Sequence, residues 1–358
     1  MSVLSPDRRQ LMLALGAGLL APRLQAAPVV AVPFYGAQVM LAMQRRHAWL
    51  PAARQWRVAA QGLAQQLEQG CTGAARAPAR QAWIRTMQAW TRASAVSTGA
   101  LLQRRSSRSI DFQPTRPRLI EQAIAQLREQ PAPLRAPDAA RLERTGSPAR
   151  GLPALEWLLW SREAPTDAAA CAWAAGLAQE LAREAAAIEA DWLAQEARDA
   201  ESETDEEDLR TRFAEFVNQW LGAIELLRWA EIERPWRAGR DDKTGWPRQT
   251  SGTTASAWQA RWEAIRTLTL SPTPAPAPGE GLVPMALYLR SLGLMPLSDR
   301  LDAVTRQADA ALHGLQPTAP AARLQAATRA LARLKGLVEN EVAAALQVNI
   351  GFSDADGD

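Results

Sequence analysis

The most unusual local sequence in the chain is Gly151-Leu-Pro-Ala-Leu-Glu156-Trp-Leu-Leu-Trp160, one carboxylate in an otherwise apolar run. Gly151 permits a tight turn. Pro153 suits the first turn of a helix, where no N–H is needed, and Glu156 then lies close enough to the helix N-terminus for the macrodipole to favour its charge. Two uses of these residues are open: a plain helix start with Leu155, Leu159 and Trp160 in the core, or a ligand site that includes Gly151 and Glu156. A second segment, Gly351-Phe-Ser-Asp354-Ala-Asp356-Gly-Asp358, gathers hard oxygen donors of the kind that hold calcium. It fails the EF-hand spacing, because Gly357 comes two positions early, and an acidic tail fraying into solvent is the competing reading.

A third segment, residues 104–118, carries five arginines and one aspartate, Asp111. Guanidinium groups grip carboxylates and phosphates through paired hydrogen bonds, so Arg116 and Asp111 join the candidates; a solvated loop with Asp111 paired locally is the alternative. The acidic run from Glu196 to Asp208 reads as a solvated face and receives no site.

Other chemistries are restricted by what the chain lacks. His47 and His313 are its only histidines, no H-E-x-x-H pair occurs, and so the common zinc-hydrolase designs are excluded. Lys243 and Lys335 are the only lysines, and neither glycine-rich nucleotide fingerprint is present. No stretch is long and apolar enough for a membrane span.

Residues 7–26 place Arg8-Arg9 directly before the apolar run Leu11–Leu20, followed by a polar stretch ending at Ala26. This pattern predicts a signal peptide over residues 1–26, of the twin-arginine type, with cleavage after Ala26 and a mature protein in the periplasm. Its removal takes away three arginines and one aspartate, so the formal net charge of +3 falls to +1, which argues against nucleic acid as a partner. Cys71 and Cys171 would meet an oxidising compartment; a disulfide and two separate buried thiols both remain open.

The elements that must position these residues read as helices. Apolar side chains recur at helical spacing over 38–69 and 79–103, and further helices fit 117–130, 153–161, 166–199, 207–234, 253–269, 281–293, 298–315 and 319–346. The segments 131–148 and 271–281 are Pro-rich connections and 236–252 is loop-like. Ala, Leu, Arg, Glu and Gln dominate and no alternating β-branched run appears, so the expected fold is all-α, with two helical-bundle units over 27–165 and 166–358.

Together, GLPALEWLLW at 151–160, RSIDFQPTRP at 108–117 and LQVNIGFSDADGD at 346–358 resemble the imelysin family. The resemblance spans the mature chain and implies an exported, mostly helical protein with two bundle-like parts, linked in several members to iron uptake or regulation. Some members are described as metalloproteases. The family signature is G-x-H-x-x-E. Gly151 and Glu156 match it, but Pro153 stands where the histidine belongs, and its ring nitrogen offers no lone pair to a metal.

The resemblance therefore implies a non-enzymatic binding protein connected with iron or another metal. Its partner would be an unidentified ligand or an envelope protein. Carboxylates alone still suit a hard ion such as iron or calcium, with Glu156 at most as a ligand on this helix, whereas zinc does not fit. The alternatives are a metal-dependent peptidase and a periplasmic interaction scaffold, the latter calling for exposed tryptophans among the 14 present. The expected site is a polar cleft between the two helical units that joins Glu156 and Arg116 to Asp354, Asp356 and Asp358.

Overall fold

The computed structural model describes residues 33–130, 135–201, 205–239, 245–272 and 280–351. The expected signal peptide and the three terminal aspartates lie outside them. Every regular element among the described residues is helical. Helix α1 (Ala37–Gln44) passes through a π turn at Arg45–Trp49 into α2 (Leu50–Glu68), which fits the expected long helix over 38–69 with one widened turn. Helix α3 (Arg76–Ala93) ends well before the expected residue 103. Its end is set locally: the Ser94 hydroxyl donates back to the Trp90 carbonyl, the Ser97 hydroxyl donates to that of Ser94, and such side-chain bonds compete with continued helix.

Short helices α4 (Ala100–Arg104) and α5 (Ser107–Ile110) lead into α6 (Pro117–Arg128). Within the segment read as a Pro-rich connection, α7 (Ala139–Arg144) forms because the Asp138 side chain accepts the Arg141 N–H as an N-cap. Then come α8 (Gly151–Trp160) and the 34-residue α9 (Ala168–Glu201). Helix α10 (Glu206–Glu225) runs through a second π segment, Leu226–Glu233, into α11 (Arg234–Ala238). The chain closes with α12 (Thr254–Thr269), α13 (Met285–Ser291), α14 (Met295–Leu312) and α15 (Ala321–Leu337), the last joined by a π turn at Val338–Val342 to α16 (Ala343–Ala345).

Residues from Phe34 onward form one compact unit, and within it the helix contacts fall into two groups. In the first group, which crosses the expected boundary at residue 165, α2 lies between α3 and α9. Its buried residues Leu50, Ala53, Trp56, Ala60, Leu63 and Leu67 follow the three-and-four spacing of a single face. Trp56 meets Trp90 of α3 with ring centroids 4.7 Å apart, and the alanine-rich face of α9 lets the backbones approach closely. A disulfide between Cys71 and Cys171 ties the end of α2 to the start of α9. In the second group α14 packs on α15, and α15 packs on α10 and the π segment that follows it. Helix α12 bridges the two, touching α3 on one side and α10 and α14 on the other. Nine of the 14 tryptophans are buried, the other five are partly buried, and none is exposed, so the tryptophans serve these cores. No helix among the described residues is long and apolar enough to cross a membrane.

Candidate functional site

Helix α8 is buried along nearly its whole length, and Glu156 is the one charge it carries inward. Two arginines from α3, Arg76 and Arg80, donate to the Leu159 carbonyl at 2.9 and 2.8 Å and satisfy its C-terminal end. At the other end Gly151 adopts a positive φ of 72°, and a Cβ there would fall 2.2 Å from the Ile110 carbonyl oxygen. Only glycine lets the segment ending α5 lie against the start of α8. That approach brings Asp111, the residue after α5, to the neighbourhood of Glu156.

The group that joins the two carboxylates is Arg248. Its guanidinium donates to an Asp111 carboxylate oxygen through one terminal nitrogen and to Glu156 Oε2 at 3.5 Å through the other. The rest of the Glu156 carboxylate is filled: Oε1 accepts the Ser251 N–H at 2.9 Å and the Ser251 hydroxyl at 2.7 Å. Because that hydroxyl proton goes to Glu156, Thr253 donates its own to Ser251, 2.8 Å away. Arg248 is buried, sits over the Trp83 ring at 5.5 Å and has a positive φ of 64°, an uncommon conformation for a side chain of its size. Burial alone would pull its pKa down, but Asp111 and Glu156, by charge and hydrogen bonding, outweigh that and hold it above the ordinary arginine value. It stays cationic.

A cavity of about 320 Å³ opens beside this cluster. Asp111 and Arg248 face it from one side; Glu231 and Arg234, from the second π segment and the residue after it, and Arg261 and Trp258 of α12 complete its charged and aromatic walls. Arg261 Nε donates to Glu231 Oε1 at 2.8 Å. The cavity thus lies among α3, the segment around Asp111, the second π segment and α12.

Of the residues singled out from sequence, the structure brings together Gly151, Glu156 and Asp111. Arg116 is not with them: it is exposed at the N-terminus of α6, where its backbone carbonyl accepts the Leu119 and Ile120 N–H groups. Asp354, Asp356 and Asp358 lie outside the described residues. Arg248, Ser251, Glu231 and Arg261 were missed, and nothing in their local sequence marks them among so many arginines and glutamates.

The donor set does not suit a metal. The side chain of Pro153, three residues before Glu156, offers no lone pair; the Glu156 oxygens are taken by Ser251 and Arg248; and a cation there would face a guanidinium. No three His, Cys, Asp or Glu residues among the described ones are placed to share an ion. Both histidines are exposed, His47 in the first π turn and His313 at the end of α14.

Comparison with known proteins agrees with this architecture. The model of the family described as Imelysin matches residues 49–347. An imelysin-like protein from Psychrobacter arcticum 273-4 is similar in fold, with a TM-score of 0.69 at 20% identity over 90% of this chain and 100% of the other. A second solved structure, a candidate iron-regulated protein A precursor from Parabacteroides distasonis ATCC 8503, gives a TM-score of 0.59 at 14% identity over 84% of this chain and 93% of its own. No curated protein matches.

Proposed function

The chain belongs to the imelysin family, and on that premise we propose that it is an exported, non-enzymatic binding protein connected with metal uptake or regulation, iron foremost. The observation that carries the reading is Arg248, which stands between Asp111 and Glu156 and supplies from the protein itself the positive charge that two carboxylates require. A peptidase of this class needs a bound ion with an open coordination position, and a guanidinium provides neither. What remains is a preformed polar wall beside a cavity, suited to holding a ligand. The similarity to a protein named as iron-regulated supports the link to iron.

Export is supported by the Arg8-Arg9 segment and its apolar run, and by the Cys71–Cys171 disulfide, which suits an oxidising compartment. The scaffold alternative called for exposed tryptophans, and none is exposed.

The reading is tested by fractionating cells, sequencing the mature N-terminus and growing a deletion strain with iron withheld. A periplasmic protein starting near Ala27 and slowed growth reversed by the wild-type gene are expected. A cytoplasmic protein retaining Met1, or hydrolysis of peptides by the purified protein, overturns it.

A further inference from the structure

The second π segment and α12 place an unbalanced set of charges in the cavity. Glu231 spends one carboxylate oxygen on Arg261, and its other oxygen, Oε2, is buried with no hydrogen-bond partner among the described residues. A buried carboxylate oxygen without a donor is costly, and such an atom in a native structure calls for an explanation. Arg261 is itself buried, and only its Nε is used by Glu231. Arg234 lines the same cavity, exposed, with no hydrogen bond or ion pair among the described residues. Arg248 is different, since both of its terminal nitrogens are engaged by Asp111 and Glu156.

The wall made by Glu231, Arg234 and Arg261 therefore carries one net positive charge, two guanidinium groups with donors to spare and one acceptor without a donor. An occupant that pairs with all three groups must bring an anionic acceptor to each arginine and a neutral hydrogen-bond donor to Glu231 Oε2. We propose that this cavity binds a small hydroxycarboxylate, its carboxylates on Arg234 and Arg261 and its hydroxyl donating to Glu231. A bare cation would satisfy Glu231 alone and be repelled by both arginines. An apolar ligand would leave Arg234 and Glu231 Oε2 without partners. The volume of about 320 Å³ is at the small end of the range for small-molecule sites. Glu231 is carried by a π segment, with Arg234 directly after it, and the extra residue per turn there moves side chains off the register of a regular helix, a feature frequent at functional sites.

This inference names the ligand class for the binding-protein reading and rests on it. The test is calorimetric titration of the purified protein with malate, and with succinate as the hydroxyl-free control, in buffer containing EDTA so that metal binding contributes nothing. Malate is expected to bind at least about tenfold more tightly than succinate, because a site built to bond a hydroxyl discriminates against its absence. Arg234→Gln, at an exposed position, is expected to weaken malate by about tenfold or more. Glu231→Gln should bring malate and succinate within about threefold of each other. No heat with malate at millimolar concentration, or equal binding of both acids untouched by Arg234→Gln, overturns the inference and leaves the family-level reading standing. Peptide hydrolysis would remove that reading, whichever acid binds.

Discussion

The Cα of Gly151 lies so close to Ile110 that a Cβ added to it would stand 2.2 Å from the Ile110 carbonyl oxygen. This contact sets Asp111 at the foot of α8, and the rest of the site follows from it. Gly151→Ala is expected to destabilise the protein by more than about 2 kcal/mol, combining a positive φ that disfavours a side chain with a clash against rigid backbone. Urea unfolding followed by circular dichroism measures the loss. A variant as stable as wild type would mean that the approach is not needed.

Arg248 should be harder to remove than a surface arginine. Arg248→Met leaves Glu156 buried without its counter-ion, and breaking a buried pair from one side costs about 3–5 kcal/mol. The double variant Arg248→Met/Glu156→Gln should recover part of that loss, since the stranded charge is gone. Equal stabilities for the single variant and wild type in urea would place Arg248 outside the fold's electrostatic balance.

Reduction of the disulfide should also weaken the packing of α2 against α9. Cys71 and Cys171 are 100 residues apart in sequence, and removing a native cross-link typically costs about 2–5 kcal/mol. Cys71→Ser/Cys171→Ser should melt well below the oxidised protein. Free-thiol counting on the unfolded wild type should find none.

Acid should destabilise the protein through carboxylates on α9. At Glu184, Glu189 and Asp199 burial acts to raise the pKa, and it is outweighed by Arg104 with Ser106, by Arg57 with Arg54, and by Arg45 with Arg212 respectively, so all three lie below their ordinary values. The unfolded chain takes up those protons first as pH falls. Their stabilisation is complete above the ordinary carboxylate range, near pH 4, and is lost as pH drops through it towards the lower folded values. Glu180, raised by burial, acts in the opposite direction but stands alone against the three. Melting temperatures recorded from pH 7 to pH 3 should decline at the acid end; a rise on acidification would contradict the assignment.

The helical class was legible because apolar side chains at three-and-four spacing leave few other ways to bury Trp56, Leu63 and Leu67 together. The three π segments were not, since widening a turn changes neither composition nor the choice of apolar residues. Glu156 and Gly151 stood out by contrast with their surroundings, and Asp111 by being the one acid among five arginines. The same segment offered Arg116, but capping α6 holds it in solvent, and charge type alone could not tell the two apart. Arg248 sits in a loop, 92 residues beyond Glu156 and 137 beyond Asp111, so only the tertiary fold pairs them. The acidic run at 196–208 read as a solvated face, yet Asp199 of α9 bridges Arg45 of the first π turn and Arg212 of α10.

The balance of Glu156 and Asp111 by Arg248, in place of a metal ion, is the centre of the site. It is tested most directly by calorimetric titration of the purified wild-type protein with Zn²⁺ and with Fe²⁺, repeated on Glu156→Gln. Neither ion is expected to bind the wild-type site more tightly than about 1 mM, equivalent to roughly 4 kcal/mol, and the variant should behave the same. Stoichiometric binding at about 1 μM or better that disappears in Glu156→Gln would contradict it.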